Sequence, residues 1–186
     1  MRIISGLLKG KNILQPKDKT TRPLKDLTKE SIFNIIKHSN KFSVNIEGAI
    51  ILDIFSGVGS FGLESLSRGS EKVIFIENYK LVLDILKKNV NNLNLSKKCQ
   101  IIEKNVMGDF NLESLNQRFN IIFLDPPFKL EDTKLLINQI FISNILKENG
   151  IIIIHKHSKS NNDFPKIFNI LEEKKYGLSK IIFGNF

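Results

Sequence analysis

From residue 49 onward, short continuous apolar runs alternate with stretches whose apolar residues recur every three or four positions. The stretches at 49–55, 72–76, 100–104, 120–124 and 150–155 read as strands, and 49–55, broken only by Asp53, as one buried on both faces, because a strand with one face in water would alternate polar and apolar residues. Helical spacing falls between them, at 61–68, at 79–93 with Leu83, Leu86 and Val90 on one side, and at 111–117 and 131–146. Gly69 suits the position just past a helix C-terminus. Strand and helix in alternation predict a mostly parallel, doubly wound α/β sheet of the Rossmann-like kind. The tail, 168–186, reads as two strands joined near Tyr176 and Gly177, an antiparallel hairpin at one edge that brings the sheet to seven strands.

Ahead of this body the pattern differs. Residues 1–24 mix apolar pairs with Gly, Lys, Thr and Pro and predict a short β-hairpin followed by an extended loop, since Pro16 and Pro23 disfavour helix. Leu24, Leu27, Ser31, Ile32, Ile35 and Ile36 then recur at helical spacing and predict a helix over 25–38. The chain divides on this reading into a hairpin-and-helix appendage, 1–40, and an α/β domain, 41–186.

The 186 residues and 41 % apolar content fit one globular unit with a short addition. A single cysteine, Cys99, excludes a disulfide or a four-thiolate metal site within one chain. It reads as a packed small residue. No apolar run approaches the ~20 residues that span a bilayer, and residues 1–10 lack a signal core. These features predict a cytoplasmic protein without a membrane partner.

Charge adds a partner class. The formal net charge is +9, and residues 1–30 hold eight basic residues against three acidic ones. Arg2, Lys9, Lys11 and Arg22 are among them. A basic arm on a globular body suits a polyanion such as RNA.

Three places carry chemistry. Asp53-Ile54-Phe55-Ser56-Gly57-Val58-Gly59-Ser60-Phe61-Gly62 joins a strand to a helix. Its glycines allow a sharp turn and close approach of a ligand to the backbone. Alone, the Gly57-x-Gly59-x-x-Gly62 spacing leaves a dinucleotide open; Asp53 beside the turn favours a cationic or amine-bearing ligand instead. Glu77 follows the second strand and can accept hydrogen bonds from both hydroxyls of an adenosine ribose. Asp125-Pro126-Pro127-Phe128 follows the fourth strand. Asp125 and a proline carbonyl form a pair of acceptors for an exocyclic amine, and Phe128 offers a face for a flat base. Asn105 and the Val106 backbone, after the third strand, are candidates for adenine contacts. His38, His155 and His157 have no metal-spaced or nucleophilic partners in sequence and read as structural or solvated.

These residues resemble the class I S-adenosylmethionine-dependent methyltransferases. Asp53-x-Phe55-x-Gly57-x-Gly59 is similar to their first motif, Glu77 to their second, and Asp125-Pro126-Pro127-Phe128 to the amino-methylating fourth. Arg2-Ile3-Ile4-Ser5-Gly6, Lys9-Gly10, Thr21-Arg22-Pro23 and Lys29-Glu30-Ser31-Ile32-Phe33-Asn34-Ile35 narrow the resemblance to the RsmD family. Two positions depart from the pattern: Asn105 where the wider class often has an aspartate, and His155 where a glutamate is expected. The resemblance implies S-adenosylmethionine as cofactor, with Asp53, Phe55, Ser56, Gly57, Gly59, Glu77, Asn105 and Val106 around it. It implies methyl transfer to the N2 amine of a guanine in 16S ribosomal RNA at Asp125, Pro126, Pro127 and Phe128. Arg2, Lys9, Lys11 and Arg22 would meet phosphates, and the enzyme would act as a monomer on a small ribosomal subunit particle. Other readings of the same motifs are methylation of an adenine or a glutamine amine, a non-catalytic RNA-binding assembly factor, and a nicotinamide oxidoreductase.

Overall fold

A computed structural model describes residues 1–16, 24–108, 110–127 and 132–186. Among these residues the chain forms one seven-stranded sheet. The strands are β1 (Ile50–Ile54), β2 (Lys72–Glu77), β3 (Cys99–Glu103), β4 (Phe119–Leu124), β5 (Leu146–His157), β6 (Asn169–Tyr176) and β7 (Ser179–Asn185). Their spatial order is β3-β2-β1-β4-β5-β7-β6. The first five run parallel, and β7 is antiparallel to both neighbours. This is the mostly parallel sheet with an edge hairpin that the sequence predicts. The α-helices are α1 (Asp26–His38), α2 (Ser60–Ser67), α3 (Lys80–Asn92) and α4 (Thr133–Ile142). None is long and apolar enough to cross a membrane.

The double burial inferred for 49–55 holds for β1, β2, β4 and the 150–155 part of β5, which have helices on both faces, whereas β3 at the sheet edge has no buried residue. Alternate residues Ile51, Phe75, Phe123 and Ile153 pack with Phe33 of α1, Phe61 of α2 and Leu86 of α3. The intervening Leu52, Ile74, Ile122 and Ile152 pack with Leu136, Ile137 and Ile140 of α4. On the first face, Phe33, Phe61 and Phe123 stack with centroid separations of 5.2 and 4.0 Å.

Three expectations are corrected. The helix at 111–117 is only a 3-10 turn, Leu112–Leu115. There Asn111 Oδ1 accepts from the Glu113 amide, and Asn116 adopts φ 45°, which ends the turn. The helix placed at 131–146 closes at Ile142, with Asn144 at φ 48° beyond it. β5 therefore starts at Leu146, ahead of the apolar run, and shifts register between the Phe119 and Ile121 pairings. The N-terminal hairpin has one isolated bridge, Arg2 to Asn12, rather than a ladder.

Residues 1–16 and α1 do not stand apart from the sheet. Ile3, Ile13, Ile32 and Phe33 are buried in the same cluster as Ile51 and Phe123. The predicted extended loop and Pro23 fall largely outside the described residues.

Candidate active site

β1 and β4 are neighbours, but the chain leaves them in opposite directions, toward β2 and toward β5. Their carboxyl ends therefore lie at a topological switch point, where open α/β sheets have the crevice that binds ligands. The glycine turn follows β1. Phe55 adopts φ 59°, a left-handed conformation that costs a residue with a Cβ about 1–2 kcal/mol. Two hydrogen bonds hold the turn: Ser56 N–H donates to the Ile76 carbonyl (3.2 Å) and Gly59 N–H to the Ser56 carbonyl (2.8 Å). Gly57, at φ 54°, has nothing within 4 Å of where a Cβ would stand, so the backbone is open to a ligand there. Gly59 and Gly62 instead face side chains: a Cβ on them would lie 2.5 Å from Leu86 Cδ1 and 2.3 Å from Phe75 Cε1.

The acidic residues surround this turn. Asp53 is buried, and its Oδ2 accepts from the Gly62 N–H at 3.0 Å, capping the first turn of α2 from below. Burial raises its carboxyl well above the ordinary range. The Gly62 bond opposes that rise, and the charges of Asp125 and Glu77 add to it. Glu77 Oε2 accepts from Gly57 N–H (2.8 Å), and its Oε1 accepts from the amides of Asn78 and Tyr79. The carboxylate thus fixes the glycine turn, and three bonds leave it acceptor capacity.

Asp125 is anchored by its amide, which donates to the Ile54 carbonyl at 3.2 Å. Its side chain is 20 % exposed. Pro126 is buried and Pro127 exposed; Phe128 lies outside the described residues. Asn105 is exposed, with Oδ1 accepting from the Met107 amide at 3.0 Å. Val106 beside it packs its side chain in the core.

Two partners of these residues escape a reading of the sequence. His155 Nδ1 lies 2.7 Å from Asp125 Oδ1. Asn89 of α3 joins the arm to the glycine turn: its Nδ2 donates to the carbonyls of Leu14 (3.2 Å) and Val58 (3.1 Å), and its Oδ1 accepts from Leu14 N–H (2.8 Å). Arg2, Lys9 and Lys11 are exposed on the arm; Thr21 and Arg22 lie outside the described residues. Burial pushes the Cys99 thiol up to about 12, which suits the packed role expected of it.

Known proteins match this chain along almost its whole length. The profile of the family described as conserved hypothetical protein 95 matches residues 1–185. The chain belongs to this family. It is 33 % identical over 183 residues to Ribosomal RNA small subunit methyltransferase D of Haemophilus influenzae, covering 96 % of this chain and 90 % of that one. The solved structure of yhhF from Escherichia coli superposes with a TM-score of 0.79 at 27 % identity, covering 99 % and 96 % of the two chains. That of HI0767 from Haemophilus influenzae gives 0.76 at 31 %, covering 98 % and 96 %. The family match includes the N-terminal segment as well as the sheet, in keeping with their shared core. The RsmD resemblance carried by residues 2–128 is borne out.

Proposed function

We propose that this protein is an S-adenosylmethionine-dependent methyltransferase that modifies the N2 amine of a guanine in 16S ribosomal RNA. The observation that carries this reading is Asp125, held at the end of β4 beside the glycine turn of β1. The name of the Haemophilus relative supports the substrate class.

The residues present fit the cofactor chemically. S-adenosylmethionine carries a positive sulfonium and an ammonium. Glu77 and Asp125 place acidic side chains around the glycine turn, and their charges add to the raised carboxyl of the buried Asp53. Gly57 leaves room for close approach, and Glu77, with three backbone amides already on its carboxylate, retains capacity for one ribose hydroxyl. Phe55, Ser56, Gly59, Asn105 and Val106 complete the proposed binding surface. When bound, the cofactor supplies an electrophilic methyl group.

The amine is a weak nucleophile, because its lone pair is delocalised into the base. Asp125 and the Pro126 carbonyl accept its two hydrogens and favour a pyramidal nitrogen whose lone pair is free to attack. Asp125 also stabilises the positive charge that develops on nitrogen; the proton becomes acidic only after attack and is then released to water. Positioning and electrostatics therefore supply the rate, with no strong base required. Phe128 stacks on the base once it has left its RNA stack. Arg2, Lys9, Lys11 and Arg22 contact phosphates, which orient the RNA without reading its sequence. Asn89 brings Leu14 to the glycine turn, so the arm leads the RNA to the crevice. The protein acts as a monomer on a small-subunit particle in the cytoplasm.

The test is incubation with methyl-labelled cofactor and unmethylated small-subunit particles, then digestion of the 16S RNA. The expected result is label on N2 of one guanine. Label on adenine or protein overturns the substrate; cofactor-independent RNA binding without label overturns the enzymatic reading in favour of an assembly factor.

A further inference from the structure

The ends of β4, β5 and β7 bring together a hydrogen-bonded chain of three side chains. Leu124 and Ile154 are register partners, so Asp125 and His155 follow side by side. His155 is 2 % exposed; its Nδ1 lies 2.7 Å from Asp125 Oδ1 and its Nε2 3.0 Å from Ser179 Oγ. Ser179 is buried at the start of β7. It sits two positions from Ile181, the cross-strand partner of His155, and so on the same sheet face. Three neighbouring strands thus contribute one group each.

The donors can be ordered from the groups themselves. An ionised carboxylate only accepts, so Nδ1 carries a hydrogen toward Asp125. In the neutral ring Nε2 then accepts from the Ser179 hydroxyl; in the protonated ring it donates to that oxygen, which serves either way. The bond to Asp125 persists in both states. The connectivity is that of a hydrolytic Ser-His-Asp relay run backwards. Here the serine is the buried anchor and the carboxylate is the group that reaches the crevice, so no activated hydroxyl faces a substrate.

We propose that His155 is a positioning residue for the transfer reaction, fixing Asp125 Oδ1 so that Oδ2 meets the acceptor amine in a single orientation. A carboxylate otherwise turns about its Cβ–Cγ bond, and Ser179 locks the ring that prevents this. The proposal rests on the methyl-transfer reading.

The test compares wild type, His155→Phe, His155→Asn and Ser179→Ala in RNA methylation, cofactor calorimetry and thermal melting. His155→Phe keeps a flat ring and removes the donor; a misplaced acceptor lowers kcat by about 10²-fold, with the KM for RNA and the cofactor Kd unchanged. The Nδ2 of His155→Asn takes the place of Nδ1 and restores most of that rate. Ser179→Ala loses less than His155→Phe. A wild-type rate in His155→Phe overturns the proposal, as does equal loss in the Phe and Asn variants or a loss that tracks cofactor affinity. A wild type that methylates nothing overturns the underlying reading, and this proposal with it.

Discussion

Single carboxyl groups in this protein do different work according to burial. Asp125 is partly open and Asp53 is closed in, so the two respond differently to substitution. Asp125→Ala removes the acceptor of the amine and leaves the glycine turn intact. Methylation is expected to vanish while cofactor affinity by calorimetry stays near wild type; retained turnover would remove Asp125 from the reaction. Asp53 makes a pH prediction. Its folded-state carboxyl lies well above the ordinary value, chiefly through burial. The folded protein therefore holds this proton more tightly than the unfolded chain. The stability Asp53 contributes is full below the ordinary aspartate value of about 4 and is lost as pH rises toward the folded value. Asp53→Asn keeps an oxygen for the Gly62 amide and removes the ionisation. The variant's Tm relative to wild type should thus climb as pH goes from acid to neutral; a constant difference would mean the carboxyl ionises as it does in the unfolded chain. Both aspartates are legible in the sequence, because Asp53 breaks the apolar run 49–55 just ahead of the glycine turn and Asp125 ends the run 120–124 just before two prolines. The His155 contact is not, because its partners are 30 and 24 residues away and only the β4-β5-β7 pairing brings them together.

At the level of elements, the same turn shows how one motif serves two ends. Gly57 faces open space, whereas Gly62 sits on the ring of Phe75. A Cβ at 62 would stand 2.3 Å from Phe75 Cε1 and 2.8 Å from Val73 Cγ1, both on β2 and both fully buried. Alanine gains about 1 kcal/mol of helix propensity over glycine, but overpacking a filled core costs about 1–3 kcal/mol. Gly62→Ala should therefore lower Tm by a few degrees with cofactor affinity nearly kept. Gly57→Ala should do the reverse: a strain cost of about 1–2 kcal/mol and a large loss of cofactor binding. Melting curves and calorimetry on the pair separate packing glycine from binding glycine, and matched effects in both would refute the distinction. The central strands β1, β2, β4 and β5 were readable because burial on two faces writes a nearly unbroken apolar run. Their limits were less so. β5 begins at Leu146, and the polar Lys147-Glu148-Asn149 that follow fall in the register shift between the Phe119 and Ile121 pairings. The apolar spacing at 111–117 could not foretell that Asn111 and Asn116 confine it to a single turn.

Over the whole molecule, the basic arm owes its place to one buried acid. Glu64 of α2 is fully buried, and its carboxylate accepts from Ile4 N–H at 2.8 Å, Ser5 N–H at 3.0 Å and Arg68 Nε at 2.8 Å. Lys29 of α1, also fully buried, stands 3.5 Å from it and donates to the Arg2 carbonyl at 2.9 Å. The lysine lies below its ordinary value chiefly because of burial, with Glu64 opposing the shift. Gly6 then crosses α2 so closely that a Cβ would fall 1.8 Å from the Ser67 carbonyl oxygen, at φ 83° where other residues are strained as well. The sequence shows the arm's charges and the 25–38 helix, but a glutamate inside an apolar helix gives no sign that its partners lie 59 and 60 residues earlier. Arg2, Lys9 and Lys11 are thereby held on a rigid base, so the proposed phosphate contacts need no ordering of the arm when RNA arrives. Glu64→Gln removes the charge opposite Lys29 and turns an amide N–H toward one of the two arm amides. Breaking a buried pair of this kind costs about 3–5 kcal/mol, and the loss should concentrate where the arm docks. Hydrogen exchange at Ile4 and Ser5 should accelerate far more than exchange in β1 or β4. RNA affinity should fall with a shallower salt dependence, since fewer cations then neutralise phosphates together. Cofactor affinity should hold. Exchange that rises evenly through the sheet would instead make Glu64 a general element of the core, and an unchanged salt slope would take the arm out of RNA binding.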